Sequence, residues 1–392
     1  MMRIDDAVIT AQVLEQKAAG AKEVEIDPKA TLTPSAQDYL RANQVQIVRQ
    51  PAGLGSPPAA ADTRPAPSAA KDSGKRKFKG IFCPNMVIFD QDQKINYNEM
   101  ERYIEWLIEA GIHGLYPNGS SGEFVRLSLE ERKDVVRLIT SVNQDRVPIL
   151  AGASEANVRD VLEITEFYAG IGVHAISLVP PYYYKISDRS MYEYFAEIAR
   201  QSALDILLYN IPQFTQELSL DIMEELLAFE RIFGTKDSSR DLPRLSNTIH
   251  RLRAQRPDYV VLNGCEENLL PSVIMGASGG TIATSSIIPE IIIDLYESSV
   301  RGDIERARML QFRILDLINL MLLGVNFPEG FKTAVGVRGF DMGPPRQIMS
   351  EEEREHLLKL EAQISCILAD MGYEVRGPRA CPVTNLSPIV GR

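Results

Sequence analysis

The sequence is poor in cysteine and shows no pattern in the little it has. Cys83, Cys265, Cys366 and Cys381 form no C-x-x-C pair, and no histidine stands at ligand spacing from them. A zinc or disulfide framework is therefore not indicated, and four reduced thiols are expected. No block of Lys and Arg stands out, and the formal net charge is −11. Both facts argue against nucleic acid as a main partner. The N-terminus lacks a basic segment followed by an apolar one, and no stretch reaches the length of a membrane span. The longest apolar stretch, Ile314 to Val325, carries Asp316 and Asn319 and is interrupted by Gly324, so it is expected to be a buried helix. What remains is ordinary for a soluble, cytoplasmic globular protein: 24% charged and 45% apolar residues. A chain of 392 residues has room for one large domain and something extra.

Composition separates three zones. Residues 1–50 form a small module with a helical pattern from Ala7 to Ala18, a strand Glu23–Ile26 and a turn through Asp27-Pro28. A second helix starts at Thr33-Pro34-Ser35, where Thr33 can cap and Pro34 fits the first turn, and a strand Val45–Val48 follows. Residues 51–77 are rich in Pro, Ala, Gly and Ser and bury too little apolar surface to order themselves, so they read as a linker. From Phe78 onward apolar runs alternate with amphipathic stretches. The runs end at Phe89, Pro117, Gly152, Pro180, Tyr209, Lys236, Gly264 and Thr284. Strand-helix units repeating every ~25 to 35 residues predict a (β/α)8 TIM barrel over 78–302. Extra helices are expected within 303–376, over 303–323, 328–338 and 350–370, and a polar tail closes the chain over 377–392.

Chemistry is expected at the carboxyl ends of the strands. Tyr209-Asn210-Ile211-Pro212 and Gly234-Thr235-Lys236-Asp237 each end an apolar run, with a helical stretch from about Leu218 to Ala228 between them. Successive parallel strands then place a phenol beside an amine. An exposed lysine is neutral in only about one molecule in 2,500 at pH 7. Attack on a ketone needs the neutral amine, which the dry mouth of a barrel favours. The other reading of Lys236 is a strand-end lysine paired with Asp237. Tyr209, one strand away, is placed to move protons or else simply to pack.

Three further segments stand at strand ends. Gly119-Ser120-Ser121-Gly122-Glu123 offers backbone N–H groups and hydroxyls to an anion, or is a plain strand-to-helix turn. It lacks the lysine and spacing of a P-loop. Tyr182-Tyr183-Tyr184 suits an interface, a lid or a core. Glu266 and Glu267, after Gly264 and Cys265, could hold hydroxyls or start a helix. Cys265 reads as a small apolar residue.

Residues 78 to 371 resemble the dihydrodipicolinate synthase / N-acetylneuraminate lyase family of pyruvate-dependent aldolases. The Gly-Ser-Ser-Gly-Glu, Tyr-Asn-Ile-Pro and Gly-Thr-Lys-Asp segments match that family's motifs in order and spacing. The resemblance implies that Lys236 forms an imine with pyruvate or a 2-keto-3-deoxy acid and that Tyr209 relays protons. It implies that Ser121 and nearby amides hold the pyruvate carboxylate, and that Ser120 links Tyr209 to Tyr183 of a neighbouring subunit. Gly264 and Thr284 match pocket-lining positions. It further implies a tetramer built from tight dimers and no metal or organic cofactor.

Phe214 stands where dihydrodipicolinate synthases usually carry an arginine for a semialdehyde carboxylate, which argues against lysine biosynthesis. Glu266-Glu267 keeps the charge of a sialic acid lyase pair, so Glu266 is a candidate substrate ligand. The tyrosine segment and Gly122-Glu123-Phe124 look most like 2-keto-3-deoxygluconate aldolases. The expected activity is cleavage or condensation of a 2-keto-3-deoxy sugar acid. N-acetylneuraminate lyase activity, dihydrodipicolinate synthase activity and a non-catalytic keto-acid-binding barrel are the alternatives. Leu32 to Leu40 resembles a segment of bacterial microcompartment pathway proteins, so residues 1–50 could recruit a shell or pathway partner. An oligomerisation or solubility appendage fits the same module.

Overall fold

Eight short parallel strands carry the large unit of the molecule. They are β1 (Gly80–Cys83), β2 (Gly114–Leu115), β3 (Leu150–Gly152), β4 (Ala175–Leu178), β5 (Asp205–Asn210), β6 (Ile232–Asp237), β7 (Val260–Asn263) and β8 (Gly279–Gly280). The computed structural model describes residues 78–377 and, before them, residues 2–4, 8–9, 14, 17–18, 20–26, 31–32 and 34–49. The chain divides into two compact units, residues 1–69 and 70–392.

The strands run side by side in the order β2-β1-β8-β7-β6-β5-β4-β3, and a parallel bridge between Leu115 and Ile149 joins the two ends. The ring is the (β/α)8 barrel that the sequence pattern predicts. Alternation along the strands sorts their residues into two cores. Phe82, Tyr116, Leu150, Ala175, Leu207 and Leu262 form the inner one. Ile81, Cys83, Ile149, Ala151, Ile176, Ile206, Leu208 and Val261 pack outward against the helices. Covered on both faces, the strands are almost continuously apolar. Each such side chain contributes on the order of 1.5–3 kcal/mol by leaving water.

Each strand is followed by a helix: α1 (Tyr97–Glu109), α2 (Leu129–Asn143), α3 (Val158–Gly170), α4 (Asp188–Gln201), α5 (Leu220–Leu226), α6 (Leu242–Gln255), α7 (Leu269–Ile274) and α8 (Pro289–Arg301). Side-chain caps start many of them. Ser128 and Glu131 form a capping box at α2, and Asn96, Asn157, Ser187, Ser219 and Asp241 cap α1, α3, α4, α5 and α6. Three more helices, α9 (Ile304–Met321), α10 (Glu329–Val337) and α11 (Glu351–Asp370), occupy the expected C-terminal stretches.

The first strand stops at Cys83, six residues before the end of its apolar run. Pro84 has no N–H to continue the ladder, and Met86–Phe89 are buried as non-strand chain instead. The eighth strand is only Gly279–Gly280 and gives way to a 3-10 turn over Ala283–Ser286. Gly279 has φ +153°, and a Cβ there would meet the Gly80 carbonyl oxygen at 2.0 Å, so glycine lets the ring close. Cys83 and Cys265 are free and buried, but Cys366 is disulfide-bonded, which corrects the expectation of reduced thiols there. Spacing along the sequence carries no information on which thiols meet in space.

In the N-terminal unit, Met2–Ile4, Glu23–Ile26 and Gln46–Arg49 form a parallel three-stranded sheet with Glu23–Ile26 at its centre. The helix Pro34–Ala42 begins at the expected proline. Val8 and Ile9, expected to be helical, instead pair with Thr31 and Leu32, because two apolar β-branched side chains fit a ladder better. The turn at Asp27-Pro28, the cap at Thr33, the linker 51–77 and the tail beyond Gly377 lie outside the described residues.

Candidate active site

Lys236 and Tyr209 are direct partners in the register between β6 and β5. Both point to the barrel interior, and both are 4% exposed. The Lys236 Nζ lies 4.1 Å from the Tyr209 ring centroid and 4.6 Å from that of Tyr116. The two rings meet edge to face, 6.5 Å apart. A weak cation–π hold is all they offer the amine. Among the described residues no ion pair reaches Lys236. Asp237 faces the other side of the strand, where it accepts hydrogen bonds from Asn210 Nδ2 at 3.0 Å and Arg244 Nε at 3.2 Å. The alternation of β6 therefore removes the reading of Lys236 as the partner of Asp237.

Gly264 makes room for the lysine. A Cβ at that position would come within 3.0 Å of Lys236 Cε and 2.0 Å of Ser238 Oγ. Ser238 Oγ lies 3.3 Å from the Tyr209 hydroxyl and 3.4 Å from the Gly264 carbonyl oxygen. The Tyr116 hydroxyl donates to Ser177 Oγ at 3.0 Å, and burial pushes its phenol far above the usual range.

These groups open into a cavity of about 230 Å³. Its lining includes Ser120, Ser121, Lys236, Tyr209, Gly264 and Glu266, which the sequence singles out. It also includes Gln213, Arg240, Thr281 and Phe331, which it does not. A second cavity of about 440 Å³ adjoins it through the shared residues Ser120, Ile211, Gln213, Phe214 and Phe327. Phe124, Val179, Tyr182 and Pro328 give that outer cavity an apolar wall.

Glu266 is buried and accepts the Thr284 N–H at Oε1 at 2.9 Å. Burial pushes its carboxyl up, against the pull of that N–H and of the more distant Lys236. Burial also pushes the Cys265 thiol up to about 12, which fits an apolar rather than nucleophilic residue.

The profile of the Dihydrodipicolinate synthetase family matches residues 77–367. The chain belongs to this family. It is a lyase, as its relatives are named. An N-acetylneuraminate lyase from Rhizobium meliloti is 31% identical over 75% of this chain and 96% of its own. Among solved structures, the prophage protein YagE of E. coli K12, in complex with pyruvate, superposes with a TM-score of 0.70 at 28% identity, covering 76% of this chain and 99% of its own. A 2-keto 3-deoxygluconate aldolase from Picrophilus torridus gives a TM-score of 0.63 at 30% identity, covering 69% and 97%.

Two of the residues singled out by family likeness lie away from the cavity. Thr284 is fully buried and outside the cavity lining, because the 3-10 turn directs it into the barrel wall while Thr281 and Ala283 face the opening. Tyr183 has φ +81° and is 89% exposed, so within one chain it does not reach Ser120 or Tyr209. Its neighbour Tyr182 turns inward, and its hydroxyl donates to Glu155 at 3.2 Å. The third ring, Tyr116, carries no motif of its own. Its position at the end of β2's apolar run was the only signal available.

A buried charge cluster supports the Gly119–Gly122 turn. Glu123, in a left-handed conformation at φ +54°, pairs with Lys332 at 2.8 Å and Arg126 at 2.7 Å. Arg126 also lies 4.0 Å from Glu329. Burial lifts the Glu329 carboxyl to about 7, partly offset by Lys332. The cluster ties the serine turn to α10 of the C-terminal helices.

Proposed function

We propose that the barrel is a class I aldolase acting through a Schiff base on Lys236. The observation that carries this reading is the amine of Lys236, buried beside two phenol rings and without an ion pair to a carboxylate among the described residues. The Nζ lone pair attacks the keto carbon of pyruvate or of a 2-keto-3-deoxy acid. Tyr209 passes a proton to the carbinolamine oxygen, which leaves as water. The resulting iminium draws the electrons of the C3–C4 bond as it breaks, while the C4 hydroxyl returns a proton to the Tyr209 oxygen, releasing an aldehyde and leaving the enamine of pyruvate. Protonation and hydrolysis of that enamine free pyruvate and the amine; condensation is the same sequence reversed. To Ser121, which lines the cavity, and the backbone N–H groups beside it we assign the hold on the carboxylate.

The substrate we favour is a 2-keto-3-deoxy sugar acid. Gln213, Glu266 and Glu267 line the cavity beyond the lysine and offer partners to hydroxyl groups. The pyruvate held by one structural relative and the sugar-acid aldolase named for another support the same reading. In a tight dimer of the kind we propose, Tyr183 from a second copy would meet Ser120 and complete the relay to Tyr209. Residues 1–50 would then act as a tethered appendage on a linker rather than as part of the catalyst. An N-acetylneuraminate lyase activity is the second reading, favoured by the curated relative of that name.

The test is release of pyruvate from 2-keto-3-deoxygluconate, related sugar acids and N-acetylneuraminate, followed by a coupled NADH assay with Lys236→Ala as control. Release from a 2-keto-3-deoxy sugar acid, abolished in the variant, is expected. Release from N-acetylneuraminate alone would give the second reading. Release from none would contradict both.

A further inference from the structure

Two cations line the lysine cavity, and only one of them has a role in the imine chemistry. The other is Arg240, four residues beyond Lys236. Its backbone sits at φ +65°, a conformation that costs a non-glycine residue about 1 kcal/mol or more. The side-chain amide of Asn268 donates to its carbonyl oxygen at 3.2 Å, which helps fix that turn.

The guanidinium is far less restrained than the backbone. Its Nε stands 3.8 Å from Glu267 Oε1, beyond hydrogen-bonding distance, and the side chain is 53% exposed. No hydrogen bond to the guanidinium occurs among the described residues. Its neighbour Arg244 shows the contrast: it reaches Asp237 at 3.2 Å, Glu217 at 2.7 Å and the Leu218 carbonyl oxygen. Arg126, at the outer cavity, is likewise held by Glu123. A strained backbone that presents an under-used guanidinium to a reactive cavity calls for a ligand.

We infer that Arg240 recognises a terminal anion, carboxylate or phosphate, on the aldehyde half of the substrate. This rests on the imine reading of Lys236, which fixes the keto-acid end deep in the barrel. Lys236 is nearly buried and Arg240 half exposed, so a chain attached at Lys236 extends toward Arg240 as it leaves the barrel. Phe214, Phe327 and Phe331 form an apolar wall, and the carboxylates of Glu266 and Glu267 also line the cavity, so Arg240 is the group beyond Lys236 that offers an anion a positive charge there. A guanidinium fork suits two oxygens of either anion, and its charge sets the preference for a charged over a neutral aldehyde.

The experiment condenses pyruvate with matched aldehydes: glyceraldehyde 3-phosphate against glyceraldehyde, and succinate semialdehyde against butanal. The full chain is expected to favour at least one charged member, and the two pairs show whether phosphate or carboxylate is preferred. Arg240→Ala should reduce that ratio of kcat/KM by about 10- to 100-fold, mainly through KM. Arg240→Lys should restore part of it. No preference in the native chain, or one that survives Arg240→Ala, would overturn the assignment. Borohydride trapping with pyruvate alone is run in parallel. A trapped imine without charge discrimination removes only the role of Arg240, whereas no trapped imine removes the aldolase reading beneath it.

Discussion

Lys236 and Lys332 are both buried lysines of one barrel, at 4% and 2% exposure, and each lies against an aromatic ring. Lys332 meets the Glu123 carboxylate at 2.8 Å, whereas Lys236 meets none among the described residues and opens on a cavity. An ion-paired ammonium is held as a structural tie and has no lone pair to offer. An amine without that partner, lodged beside a phenol, is equipped for covalent chemistry. The two lysines also cooperate: the Glu123–Lys332 pair steadies the turn that carries Ser120 and Ser121, which line the cavity of Lys236. Burial alone therefore does not distinguish the two lysines; the partner does.

The largest expected effect is on activity. Lys236→Ala should lower aldol turnover by about 1,000-fold or more in steady-state kinetics, while the thermal midpoint holds or rises. Lys332→Ala should instead lower the thermal midpoint, with a smaller loss of turnover through the serine turn it steadies. Leaving Glu123 buried with Arg126 but without Lys332 should cost about 1.5–3 kcal/mol in urea unfolding, and Glu123→Gln combined with Lys332→Met should recover part of that loss. Similar destabilisation by the two single lysine variants would break the distinction.

Tyr209→Phe sharpens the chemical side. It should lower kcat by about 100-fold with a smaller change in KM, because the phenol is assigned to moving protons rather than to holding substrate. A change in pH dependence is expected at Glu329. Its carboxyl titrates near 7 in the folded chain, above an unfolded value near 4.5, so the folded state binds the extra proton. Its contribution is complete below pH ~4.5 and is lost as pH rises through 7, by about 3 kcal/mol at most. Glu329→Gln should flatten that part of the fall in stability, measured by denaturant unfolding at pH 5, 6, 7 and 8.

Much of the barrel is legible because its physics is local. Eight apolar runs with amphipathic stretches between them need only short-range periodicity, and Lys236 and Tyr209 need only two strand ends joined by one helix. The pairing of Glu123 with Lys332 spans 209 residues and leaves no periodic trace in the sequence. Tyr116 and Arg240 join the site through side-chain packing and a strained turn, neither of which a pattern of apolar residues encodes. Phe89 and Thr284 mark where apolar runs outlast their strands, because buried non-strand chain is as apolar as a ladder. Val8 and Ile9 fail for a related reason: a helical spacing over few residues cannot be told from a short parallel pairing.

The most direct test of the central claim is borohydride reduction of the full chain with pyruvate, followed by intact mass and peptide mapping. One pyruvyl adduct per chain on Lys236, absent from a folded Lys236→Ala chain, is the predicted result. An adduct on another lysine, or none on a folded chain, would contradict the account.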